Sequence, residues 1–294
     1  MENHFLFQKI IIFGVGLIGG SFALALKKAG ATKEIVGFSR SPATLKKAQE
    51  LNIIDRGANN IESEIKNADL ILIATPMQQM PIILKEIAPY LNENNMIMDV
   101  GSTKMSVILE AQKILKNNIG LFVPAHPIAG TQFSGPKAAF ATLFQNKKVV
   151  ITPLNENKED FLNKASKAWQ ICGAEIFELT PEMHDQIFAS VSHLPHLLSF
   201  ALVDELANRK NAALYFDFAA SGFRDFTRIA ASHPEMWRDI CLSNRHALMK
   251  ELAEYQMALD QISVALANKD GKQLENIFHH ARQARRKWSG ENEE

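Results

Sequence analysis

Only two cysteines, Cys172 and Cys241, occur in 294 residues. That is too few for a disulfide framework in a chain this long, and neither has ligand-spaced partners for zinc. The scarcity points to a reducing cytoplasm. Net charge is also missing. The 32 Lys plus Arg balance 32 Asp plus Glu, so no global field draws the chain onto nucleic acid or an anionic membrane surface. Repeats, low-complexity tracts and flexible linkers are absent. One charge-free stretch near the start, Ile10 to Leu26, is broken by Gly14, Gly16, Gly19 and Gly20 and is preceded by Glu2 rather than a basic segment. No second apolar segment of membrane length accompanies it, so neither a signal sequence nor a span is expected. What is there is 47% hydrophobic and 22% charged residues. This is enough to bury a sizeable core, in a length that favours two domains over one.

Apolar runs and helical periodicities alternate through the first half. Lys9–Phe13, Glu34–Phe38, Asp69–Ala74, Met96–Asp99, Leu121–Ala125, Val149–Thr152 and Glu175–Leu179 read as strands, several of them apolar throughout as buried parallel strands are. Between them Leu17–Ala29, Pro42–Leu51, Gln78–Tyr90, Lys104–Lys116 and Lys158–Ile171 read as helices. The alternation predicts an α/β fold, with a doubly wound Rossmann-type domain over residues 1–180. From Pro181 onward period-2 segments disappear. Leu248, Leu252, Leu259, Ile262 and Leu266 recur at helical spacing, which predicts an all-α domain over 181–294. Pro234 starts a long helix to about Leu266, Asp270 caps a last one reaching Trp288, and the acidic tail Glu291–Glu294 frays.

Gly14, Gly16 and Gly19 form a GxGxxG that leaves a strand and opens a helix. There the first glycine permits the turn, the second admits a pyrophosphate and the third lets helix pack on strand, with Leu17 and Ile18 lending backbone N–H groups. Thr75, just past the strand ending at Ala74, joins these dinucleotide contacts. The acid that usually accepts the ribose hydroxyls of NAD, about twenty residues on, is replaced by Ser39, with Arg40 beside it. Arg40 is either a partner for a 2′-phosphate, which leans the cofactor choice of NAD or NADP toward NADP, or a solvated side chain.

Ser102, in Asp99-Val-Gly-Ser-Thr-Lys104, stands at a strand end where open α/β sheets bind ligands, and equally fits a helix N-cap. His126 also stands at a strand end, and Pro127 keeps it out of helical conformation. An imidazole placed there suits proton removal from a carbinol as hydride leaves. In the helical half, Ser192-His193-Leu-Pro195-His196 carries two histidines with no third ligand nearby for a metal. Ser221 to Arg228 offers Arg224 and Arg228 for carboxylate binding, or an ordinary Arg224–Asp225 surface pair.

The Gly14–Ser21 loop, Gly101-Ser102, His126-Pro-Ile-Ala-Gly130, Ser192-His-Leu-Pro-His196 and Gly222-Phe-Arg-Asp-Phe-Thr-Arg228 resemble, in order and spacing, the prephenate and arogenate dehydrogenase family. The resemblance implies an NAD(P)-dependent enzyme that oxidatively decarboxylates a cyclohexadienol in tyrosine synthesis, with a helical domain that makes a homodimer. By the same resemblance His126 bonds the ring hydroxyl, and Ser102 orients it. Arg228 binds a substrate carboxylate, and Ser192, His196, Gly222, Asp225 and Trp237 line the pocket. Where the family often has Glu, this chain has Gln132, which favours prephenate, a small-molecule partner with two carboxylates, over the ammonium-bearing arogenate. No chorismate mutase segment is expected before the first strand and no regulatory domain after Trp288. A β-hydroxyacid dehydrogenase would need a catalytic lysine in the helical half, where Lys210 and Lys250 lack a motif. A dinucleotide sensor would need a recognition module, and none is found.

Overall fold

A computed structural model describes residues 5–58, 60–131 and 133–291; Gln132 and residues 292–294 of the acidic tail lie outside them. β1 (Phe7–Phe13), α1 (Leu17–Lys28), β2 (Thr32–Phe38), α2 (Pro42–Glu50), a two-residue β3 (Arg56–Gly57), α3 (Ile61–Lys66) and β4 (Leu70–Ile73) come first. Then follow α4 (Met80–Ile87), β5 (Met96–Asp99), α5 (Met105–Leu115) and β6 (Phe122–Val123). The six strands form one parallel sheet in the order β3-β2-β1-β4-β5-β6. Its centre is built from residues with no solvent exposure, among them Ile10, Ile11 and Ile12 of β1, Leu70 and Leu72 of β4, and Ile97 of β5. Both faces are covered by helices, which is why these strands are continuously apolar.

The order reverses between β1 and β4, the switch point at which such sheets bind ligands. The register lines up the carboxyl ends, with Phe13 opposite both Phe38 and Ile73, and Ile73 opposite Asp99. Gly14, Ser39, Thr75 and the segment after Asp99 therefore emerge along one edge.

The expected strand Leu121–Ala125 is two strands. β6 stops at Pro124, which has no N–H for the ladder and whose carbonyl accepts from Thr152 N at 3.0 Å. The chain then enters a second, three-stranded sheet of β7 (Ala125–Pro127), β8 (Lys148–Ile151) and β9 (Glu175–Glu178), with α6 (Glu159–Ile171) between the last two. β7 runs antiparallel to β8. Trp169 of α6 ties the layers together: it is fully buried, meets Phe22 of α1 edge-on at 4.7 Å and donates its indole N–H to Met98 Sδ at 3.2 Å.

From Pro181 every element is helical: α7 (Pro181–Phe188), a π-helical turn (Ala189–His193), α8 (Leu194–Ala207), α9 (Ala212–Asp217), α10 (Ser221–Thr227), a 3-10 turn (Arg228–Ala231), α11 (Pro234–Ser243), α12 (Arg245–Ala267) and α13 (Gly271–Ser289). The expected long helix from Pro234 is broken at Asn244. Its side chain donates instead to the carbonyl of Asp185 at 2.7 Å and to His193 Nδ1 at 3.1 Å. One compact unit runs to Arg245 and a second begins at His246. The charge-free stretch Ile10 to Leu26 is β1, the glycine turn and α1. A second apolar segment does exist, contrary to the sequence reading: Pro181–Ala207 is a 27-residue helical run long and apolar enough to cross a membrane. Its buried polar groups His184, Asp185 and His193 are bonded within the first unit.

Candidate active site

Two glycines of the loop have no room for a side chain. A Cβ on Gly14, whose φ is +92°, would lie 2.4 Å from the Ala74 carbonyl oxygen, and one on Gly19 would lie 2.3 Å from the Gly14 carbonyl oxygen. Gly16 differs, with nothing within 4 Å of its Cβ position. It is also the N-cap of α1 and supplies no side-chain cap, so the first-turn N–H groups of Leu17, Ile18 and Gly19 have no capping side chain and remain donors for an anion. Beside them the Thr75 hydroxyl is buried without a partner. Open donors above Gly16 and an orphaned hydroxyl at the switch point fit a dinucleotide. At the end of β2, Ser39 Oγ accepts from Ser41 N at 3.2 Å, and Arg40 is exposed.

Past β5 the structure departs from the cap expected of Ser102. Ser102 caps no helix: α5 starts at Met105, its N-cap is Lys104, and that residue gives no side-chain cap. The cap comes from α7, where Asp185 accepts from Lys104 N at 2.8 Å and Met105 N at 3.0 Å. The Lys104 side chain turns inward to Asp99 Oδ2 and the Ala125 carbonyl, each at 2.6 Å, while Asp99 Oδ1 accepts from Ala125 N at 3.1 Å. Both backbone groups of the residue before His126 are thereby held at the carboxyl end of β5.

His126 is half-buried. Its Nδ1 lies 2.8 Å from His184 Nε2, and His184 Nδ1 lies 2.8 Å from Asp185 Oδ1. Phe188 packs against both imidazoles, at 4.8 and 4.5 Å. Burial, then the neighbouring His184, Lys104 and His193, holds the His126 pKa well below the usual imidazole range. Burial also lowers His184, with the Asp185 hydrogen bond opposing it. A neutral imidazole can accept a proton, which is what a carbinol oxidation requires.

The helical half brings the remaining groups together unevenly. His196 stacks on Trp237 at 3.6 Å and bonds Ser192 O through Nδ1 at 2.8 Å. Its pKa is lowered by burial and, in part, by the Arg228 charge, so Arg228 stands within electrostatic reach. The Trp237 indole N–H is buried without a partner. His193 is directed elsewhere, to Asn244. Gly222, Arg224, Asp225 and Arg228 are all exposed, and Asp225 has no ion pair with Arg224 among the described residues. Lys210 and Lys250 are exposed too. Sequence reasoning missed His184, Asp185 and Lys104. The adjacent His184-Asp185 in an apolar helix was the available signal.

A dinucleotide cradle at the switch point with a half-buried imidazole at the end of β7 fits one class: a dinucleotide-dependent dehydrogenase with a helical second half. Known proteins narrow it. Residues 22–178 match the family model described as prephenate dehydrogenase, nucleotide-binding domain, and residues 180–280 the one described as prephenate dehydrogenase, dimerization domain. The chain belongs to the prephenate dehydrogenase family. It is 35% identical over 281 residues to cyclohexadienyl dehydrogenase of Zymomonas mobilis, covering 95% of each chain. It is 36% identical over 278 residues to prephenate dehydrogenase of Bacillus subtilis, covering 94% of this chain and 75% of that one. The crystal structure of Aquifex aeolicus prephenate dehydrogenase in complex with hydroxyphenyl propionate and NAD+ superposes with a TM-score of 0.89 at 33% identity, covering 95% of this chain and 98% of that one.

Proposed function

We propose that this protein oxidatively decarboxylates prephenate to 4-hydroxyphenylpyruvate in the cytoplasm, as a homodimer formed through its helical half. The observation that carries the reading is His126, an imidazole held at the end of β7 by His184, with its pKa pushed down by burial. Bound nicotinamide supplies the hydride acceptor. His126 takes the ring hydroxyl proton as hydride leaves the same carbon; the ring carboxylate departs as carbon dioxide, its bonding pair completes the aromatic ring, and the resulting phenolate oxygen takes the proton back from His126. Ser102 shares the hydroxyl, and Arg228, near His196, binds a carboxylate. Exposed Phe218, Met249, Met257 and Trp288 supply apolar area for association.

Prephenate is favoured over arogenate because Gln132 offers an uncharged amide where a carboxylate would attract an ammonium. The test is turnover of prephenate and arogenate, followed at the absorbance of reduced nicotinamide, in wild type, His126→Asn and Gln132→Glu. His126→Asn should lower kcat by about two to four decades with cofactor binding retained. Gln132→Glu should tilt kcat/KM at least about tenfold toward arogenate. Wild-type turnover by His126→Asn would remove His126 from the reaction, and an unchanged substrate ratio would move selectivity away from Gln132.

A further inference from the structure

We propose that His184 and Asp185 are positioning residues that fix the tautomer of His126, so that Nδ1 carries the hydrogen and Nε2 presents its lone pair to the substrate hydroxyl. The chain of contacts leaves one consistent arrangement of protons. Asp185 receives backbone N–H groups on both oxygens, from Lys104 and Met105, and an ionised carboxylate can only accept. His184 Nδ1, at 2.8 Å from Asp185 Oδ1, is therefore the donor of that pair. A neutral imidazole with hydrogen on Nδ1 has only a lone pair on Nε2, so His126 Nδ1 must donate across the 2.8 Å contact. The open nitrogen of His126 is then the acceptor.

The chain is anchored at its far end. Asp185 caps α5, the element that begins beside Lys104, and His184 and Asp185 are almost fully buried. The charged and titratable groups facing His126 are His184 from α7, Lys104 at the head of α5 and His193 from the π-helical turn; Asp185, Lys104 and Asp99 face His184. When His126 gains the substrate proton on Nε2, its Nδ1–H remains bonded to His184, and the carboxylate of Asp185 lies at the end of the same line.

This inference rests on His126 being the proton acceptor, so the experiment separates the two. Long-range proton–nitrogen correlation on histidine-15N protein, with His126→Asn to assign its signals, should give a protonated Nδ1 and an unprotonated Nε2 in wild type at pH 7.5. A protonated Nε2, or an equal mixture, overturns the proposal whatever the kinetics. His184→Leu should lower kcat about a hundredfold or more while prephenate KM stays within about threefold, and His184→Gln, which keeps an acceptor for Nδ1–H, should recover about tenfold. If His126→Asn is inactive but His184→Leu turns over like wild type, the positioning role falls and His126 stands. If His126→Asn itself is fully active, the proposed reaction falls. Should His184→Leu fail to fold, the wild-type tautomer decides.

Discussion

Lys104 Nζ meets Asp99 Oδ2 at 2.6 Å with neither side chain exposed, and the pair grips Ala125 by both its N–H and its carbonyl. Burial pulls the Lys104 pKa down and Asp99 pushes back. Removing one partner leaves a buried charge alone, so Lys104→Met should destabilise the fold by about 3–5 kcal/mol in urea unfolding. Adding Asp99→Asn removes that charge while keeping an acceptor for Ala125 N. The double variant should therefore be more stable than Lys104→Met alone. Equal or lower stability in the double variant would show that the two side chains are not coupled.

Acid should weaken the fold well above the carboxylate range. His193 is buried, its pKa is lowered to about 4 chiefly by burial, and its Nδ1 accepts from Asn244 Nδ2, a bond that protonation of that nitrogen would break. The unfolded chain binds the proton near pH 6.5, and the folded chain near 4. Stability is thus fully present above about 6.5 and falls as pH drops toward 4, by up to roughly 3 kcal/mol from this one group. His126, His184 and His196 are shifted in the same direction. Urea midpoints between pH 7.5 and 4.5 check this, and His193→Gln should flatten part of the slope. Stability that rises on acidification through this window contradicts it.

Arg228 should govern substrate binding rather than turnover. It is exposed, yet close enough to lower the His196 pKa, and α10 with its 3-10 turn packs on α8. A carboxylate covered there without its guanidinium loses on the order of 3 kcal/mol, about two decades in KM. Arg228→Gln should show that rise with kcat within about threefold, while Arg224→Gln should not. Normal binding by Arg228→Gln would transfer the carboxylate to Arg224.

What could be read without coordinates was local. Gly14 and Gly19 announce themselves because the backbone needs them at the turn, and Pro127 confines His126 to extended conformation. The parallel sheet follows from strands such as Ile10–Ile12 that are apolar on both faces, while its polar two-residue edge strand Arg56–Gly57 and the division into two sheets do not. What escaped depended on distant partners. Asp185 caps α5 across 81 residues, so Ser102 fitted a cap as well as a ligand contact. Asn244 ends a helix whose apolar periodicity continues past it, and its side-chain amide bonds Asp185 O, 59 residues away. The change of sheet at Pro124 is a matter of which neighbour Thr152 finds.

Cofactor choice should turn on the end of β2. An acid there accepts the two ribose hydroxyls of NAD and repels a 2′-phosphate. This chain instead places Ser39, whose Oγ accepts from Ser41 N, next to exposed Arg40, which has no ion pair among the described residues. Ser41 in turn caps α2 through Thr44 N at 3.3 Å, which holds the turn that presents Arg40. A guanidinium beside uncharged hydroxyls can pair with phosphate oxygens in a fork. We therefore expect kcat/KM with NADP at least equal to that with NAD. Ser39→Asp should restore the ribose contact and the repulsion together, moving the ratio toward NAD by about tenfold or more, since about 1.4 kcal/mol suffices for a decade. Arg40→Ala should weaken NADP far more than NAD, because NAD lacks the 2′-phosphate that Arg40 would pair with. Initial rates with both cofactors in the three proteins decide it, and a hundredfold preference of the wild type for NAD would refute the assignment of Arg40.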